Sequence, residues 1–140
     1  MGYSTGPHLQ MALFCERVIE EKDGVLSIIR VIDRVIQTAA GPAAPPAMPS
    51  FPYDLTMAVS LKSGQAKGSY EIRITQEAPS GLRQQLGNPI RFLLEGDERG
   101  HNLIVRATIN FESEGLYWFD VHLDAELLTR VPLRVLYVRR

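Results

Sequence analysis

The side chains best suited to catalysis or metal binding in this chain are three histidines, one cysteine and a set of turn carboxylates. His8 lies in an N-terminal tail, His101 in a turn and His122 at an outward strand position, with no second His or Cys at metal-ligand spacing. Cys15 sits inside an apolar strand, where a thiol behaves as a small inert hydrophobe. Asp23, Asp97, Glu98 and Asp124 all fall at predicted strand ends. They could offer oxygen ligands to calcium only by sharing one end of the fold, and none shows a calcium-loop spacing, so turn formation accounts for them. The chain has no nucleophile elbow, P-loop or dinucleotide fingerprint, and no acid, base and nucleophile set can be assembled. The expectation is a non-enzyme without metal or cofactor.

Trp118 is the most informative single residue. In residues 115–124 the large side chains alternate, so Tyr117, Phe119, Val121 and Leu123 face one way and Trp118, Asp120, His122 and Asp124 the other. Across an acidic turn at Asp124, Ala125 and Glu126, the next strand places Leu136 and Val138 on the Trp118 side together with Arg134. An outward group of Trp118, Arg134, Leu136 and Val138 suits an association surface, and a homodimer is the expectation. The same ring could instead be a stacking platform for a small ligand such as a carbohydrate, with Asp120, His122 or Arg134 in polar contact. A third possibility is that the proline segment, or Met48 and Phe51, simply covers it.

These residues must be positioned by strands. Residues 9–19 alternate, but Ala12 and Phe14 make the second face apolar too, so a strand covered on both sides is predicted. Asp23-Gly24 marks a hairpin, and residues 25–36 return as one strand, with a bulge near Ile28 to reconcile its two halves; helical spacing competes, but the β-branched content favours a strand. Residues 37–52 are rich in Ala, Gly and Pro and cannot donate a ladder, so they cross between sheets, with Met48 and Phe51 packing on the body; a proline-rich ligand for another protein's groove is the lesser alternative. Residues 55–61 and 70–75 are expected to pair across a turn at 64–68. Residues 78–87 read as loop or one helical turn, 90–94 as a short edge strand, 96–100 as a charged turn and 103–111 as a strand leading into the last hairpin. Seven to nine short strands at this spacing predict an all-β, single-domain antiparallel sandwich over residues 1–140, with residues 1–8 a flexible tail.

Composition agrees. A length of 140 residues suits one domain with a core of its own. The net charge of -1 supplies no field to gather nucleic acid or an anionic membrane, and Arg130, Arg134, Arg139 and Arg140 lack the interleaved aromatics of a nucleic-acid stripe. One cysteine permits no internal disulfide, so the cytoplasm is the default compartment. The first ten residues match neither a secretion signal nor a myristoylation site, and no apolar run could span a bilayer.

Three pieces carry a resemblance: residues 12–35 (ALFCERVIEEKDGVLSIIRVIDRV), the Pro-marked entry to an aliphatic strand in 51–61, and residues 115–135, where Gly-x-Tyr-x-Phe leads through an acidic turn to Pro-Leu-Arg-Val. Together they resemble an uncharacterised family of small bacterial proteins, a domain of unknown function. That resemblance implies an immunoglobulin-like β-sandwich. It differs at the last turn, where such families often carry Asp-Gly and this chain has Asp124-Ala125. It brings no activity and no functional residues.

Overall fold

The computed structural model describes residues 5–140, which form ten strands and no helix. In chain order they are β1 (His8–Glu20), β2 (Leu26–Ile32), β3 (Arg34–Ala39), β4 (Phe51–Lys62), β5 (Lys67–Glu77), β6 (Arg83–Gln85), β7 (Ile90–Glu95), β8 (Gly100–Phe111), β9 (Gly115–Leu123) and β10 (Glu126–Arg139). One sheet runs β2-β1-β4-β8; the other runs β3-β10-β9-β5-β6, with β7 also paired to β5. The fold is an all-β sandwich, as its period-two patterning predicts. Leu55, Met57, Val59 and Leu61 of β4 and Tyr117, Phe119, Val121 and Leu123 of β9 are buried in the core between the sheets. The Phe14 and Phe119 rings meet edge-on at 4.8 Å, from β1 in one sheet and β9 in the other. Each such fully buried side chain contributes roughly 1.5–3 kcal/mol.

One expected pairing is replaced. Residues 55–61 and 70–75 do not form a hairpin, because β4 pairs with β1 and β8 while β5 pairs with β9, β6 and β7 in the other sheet. The 64–68 stretch is a crossing between layers. Ala58 and Ser60, on the face of β4 turned away from the core, are also buried, so β4 is covered on both faces. Residues 25–36 are indeed extended but make two strands. Ile28 stays in register opposite Val18, so the bulge expected there is absent. The break lies at Asp33, after Arg30 with φ +57, and it transfers the chain from β2 in one sheet to β3 in the other, parallel to β10. Residues 78–87 are loop, as one of the two expected readings had it, interrupted by the short strand β6 and without a helical turn.

True irregularities occur elsewhere. The ladder of β1 with β4 shifts between Leu9 and Met11, which turns Leu9 into the main core and Met11, Leu13 and Cys15 toward the opposite face. There Cys15, Val18 and Ala58 form a second small core with Met11, Leu13, Leu26, Ile28 and Ile104. The far half of the β1–β2 hairpin therefore folds back over the outer face of its own sheet, with Glu16 and Arg30 joined at the bend (Nε to Oε2, 2.8 Å). Covering of β1 on both sides, read from its sequence, has this origin.

Residues 40–50 cross from β3 to β4, a shorter crossing than the expected 37–52, because Gln37, Thr38 and Ala39 extend β3 along β10 and Phe51 and Pro52 open β4 along β8. Met48 is buried in the main core, Phe51 packs against Phe111, and the Tyr137 hydroxyl donates to Pro45 O at 2.7 Å. The expected tail of residues 1–8 falls partly outside the described residues. Its described part is fastened, since Gln65 N donates to Thr5 O at 2.9 Å and His8 opens β1 opposite Lys62.

Candidate functional site

The outer face of the sheet containing β9 and β10 carries the residues singled out by alternation. Trp118 faces outward and is half-buried; Arg134 is exposed, and Leu136 and Val138 are half-buried on the same face of β10. They are not one compact cluster. The register sets Trp118 opposite Pro132, whereas Leu136 and Val138 lie farther along β10, beside Ile36 and Thr38 of β3. Ile36 is 52% exposed, so the apolar part of this face lies at the β3 edge. Arg134 lies next to Arg34 in the same register.

Around Trp118 the face is ionic. The Arg130 guanidinium carbon stands 4.8 Å from the centre of the Trp118 ring, so Arg130, not the proline segment, covers that ring. Asp120, one pleat along β9, points outward yet is only 6% exposed. Arg130 Nε donates to its Oδ1 at 2.7 Å and Arg83 Nη2 to its Oδ2 at 3.0 Å. Both arginines also reach Glu77 Oε1 on β5. Three strands and the β6 segment thus supply one network of two acids and two bases. Burial pushes the Asp120 carboxyl up, but the hydrogen bonds and charges of Arg130 and Arg83 outweigh it and hold the group below its ordinary range. With each carboxylate oxygen engaged by an arginine, Asp120 is held ionised and placed to organise the face.

The remaining candidates stay apart. His101 stacks on Phe92 at 4.8 Å, and His122 lies on the outer face with its Nδ1 buried and without a partner among the described residues. Cys15 is buried, and burial pushes its thiol up, away from the reactive thiolate. Asp23, Asp97, Glu98 and Asp124 occupy turns. Asp97, Glu98 and Asp124 adopt positive φ, and Asp124 Oδ1 accepts from Glu71 N at 3.0 Å. Among the described residues no three His, Cys, Asp or Glu side chains gather at metal-binding distance. Alternation had placed Asp120 outward; what it could not supply was Arg83, which arrives through the pairing of β6 with β5.

A family model described as "Family of unknown function (DUF6941)" matches residues 10–136. The chain belongs to that family. No curated protein matches it. The match takes in eight whole strands, β2 to β9, and most of β1 and β10, so the DUF6941 region and the sandwich coincide apart from the start of β1 and the end of β10. No helix among the described residues is long and apolar enough to cross a membrane.

Proposed function

We propose that the protein is a non-enzymatic association module that acts as a homodimer, joined along β3 with Leu136, Val138 and Arg134 flanking the seam. One observation carries this reading. β3 is the terminal strand of its sheet, leaving its outer row of backbone groups unpaired, and it presents Ile36 at 52% exposure beside Leu136. An antiparallel two-fold centred on Ile36 would set Ile36 against its copy and Arg34 against Thr38, so like charges do not meet across the seam. Carbohydrate stacking on Trp118 is the weaker alternative, because a sugar would have to displace Arg130.

The same proposal includes an immunoglobulin-like, bacterial and cytoplasmic protein. Support for the immunoglobulin-like part comes from Tyr117, whose hydroxyl donates to Ser113 O at 2.6 Å across the turn between the two sheets, as in a tyrosine corner. The lone cysteine supports the reducing compartment.

Light scattering over a tenfold concentration range tests the dimer. A mass of twice 15.7 kDa that Ile36→Lys reduces to the single-chain value, with the fold retained, is expected. A single-chain mass at every concentration overturns the proposal, as does a dimer unaffected by Ile36→Lys. In the second case a glycan screen on Trp118→Ala addresses the alternative.

A further inference from the structure

On the sheet facing away from that seam, the folded-back β1–β2 hairpin leaves a groove of about 590 Å³. Its tip contributes Asp23, Gly24 and Val25, and its floor is the outer face of β1, β4 and β8. Met11, Leu26 and Ile28, all members of the second small core, give the groove an apolar wall.

The polar floor presents amide and hydroxyl groups that a ligand can reach. Ser60, 8% exposed, has its hydroxyl 2.7 Å from Asn102 Oδ1 and 3.2 Å from Gln10 Oε1. A hydroxyl has one proton, so the shorter contact takes it; Gln10 and Asn102 are both exposed, and the rest of each amide faces solvent, where a ligand can reach it. Two opposite charges line the same groove. Asp23 stands on the hairpin tip, with Oδ1 accepting from Val25 N at 3.1 Å, and Lys62 ends β4. Neither forms an ion pair with another side chain among the described residues.

We propose that this groove binds a short aliphatic peptide with free ends, its carboxylate at Lys62 and the Asn102 amide, its ammonium at Asp23 and Gln10 Oε1, and its side chains against Met11, Leu26 and Ile28. The charge pattern selects a zwitterion over a simple acid or amine, since either alone would meet one like charge. The wall selects aliphatic side chains, because no aromatic ring lines the groove to stack a sugar or a base. The size exceeds a single amino acid and lies in the usual range for small-ligand sites. This site is independent of the β3 seam.

The test is a two-dimensional ¹H–¹⁵N NMR titration of the full chain with the dipeptide Leu-Leu. Saturable shifts are expected at Met11, Leu26, Ile28 and Asn102. The N-acetylated, C-amidated dipeptide should bind at least ~10-fold more weakly, as should Leu-Leu to Lys62→Met, a change of about 1.4 kcal/mol. Asp23→Asn keeps the acceptor for Val25 N and should weaken binding similarly. Lys62 and Asp23 are exposed, so both variants should keep the dispersed spectrum of the folded chain. Ile36→Lys should bind Leu-Leu as the parent does, which separates this result from the dimer. The proposal is overturned by the absence of saturable groove shifts, by shifts confined to another surface, or by equal binding of the blocked dipeptide.

Discussion

Arg130 holds Trp118 and Asp120 at once: its guanidinium carbon lies 4.8 Å from the centre of the indole while its Nε reaches Asp120 Oδ1 at 2.7 Å. Neighbouring outward positions of β9 are thereby locked by one side chain from β10. The aromatic residue that looks like a recognition element is part of a stabilising network.

Because Trp118 is the only tryptophan, its emission reports that lock directly. Arg130→Ala should uncover the ring, shift the emission to longer wavelength and increase quenching by acrylamide. An unchanged spectrum would mean that the stacking does not persist in solution.

Asp120 links the same network to pH. Its carboxyl is held below its ordinary range in the folded chain, so near that range the unfolded chain binds more protons than the folded one. Its contribution is present above the unfolded value, about 3.9, and disappears as the pH falls through the folded value. Asp120→Asn should cost about 1–3 kcal/mol at neutral pH. In urea denaturation the gap between parent and variant should narrow on acidification below about pH 4; a gap independent of pH would remove Asp120 as its source.

Gln76 offers a gain. It is 4% exposed on the core side of β5, and its Oε1 has no hydrogen-bond partner among the described residues. Gln76→Met keeps the length and removes the stranded acceptor, so stability should rise by about 1 kcal/mol. A loss of similar size in thermal unfolding would show that the amide is satisfied in solution.

Two glycines separate strain from crowding. Gly6 has φ +105, and a β-carbon there would collide with the backbone oxygen of Ser63; Gly24 has φ +85 with open space around it. Gly24→Ala should cost about 1 kcal/mol from conformation alone, and Gly6→Ala at least about 2 kcal/mol because the backbone must also move. Equal losses in denaturant melts would place Gly6 outside the packed body.

The faces of the strands were legible in the order of residues; their partners were not. Tyr117, Phe119, Val121 and Leu123 sort inward from period two alone, and Asp124-Ala125 forms the two-residue turn that the acidic run suggested. Alternation carries no address, however, so β4 and β5, adjacent in sequence and similar in pattern, could not be assigned to different sheets. The Arg83–Asp120 contact depends on the order β6-β5-β9, and the groove depends on a hairpin bend at Arg30, which no glycine or proline announces. The outward direction of Trp118 was readable; its cover by Arg130 required the β9–β10 register.

The parallel pairing of β3 with β10 also sets the order in which the molecule can be completed. Arg34 lies against Arg134, so a segment made early in synthesis must wait for one made much later before its sheet can close. A contact of that span is costly to form first and favours late closure. On the ribosome, β3 would spend most of translation with both flanks open, and a chaperone or a neighbouring nascent chain would meet Ile36 before β10 does.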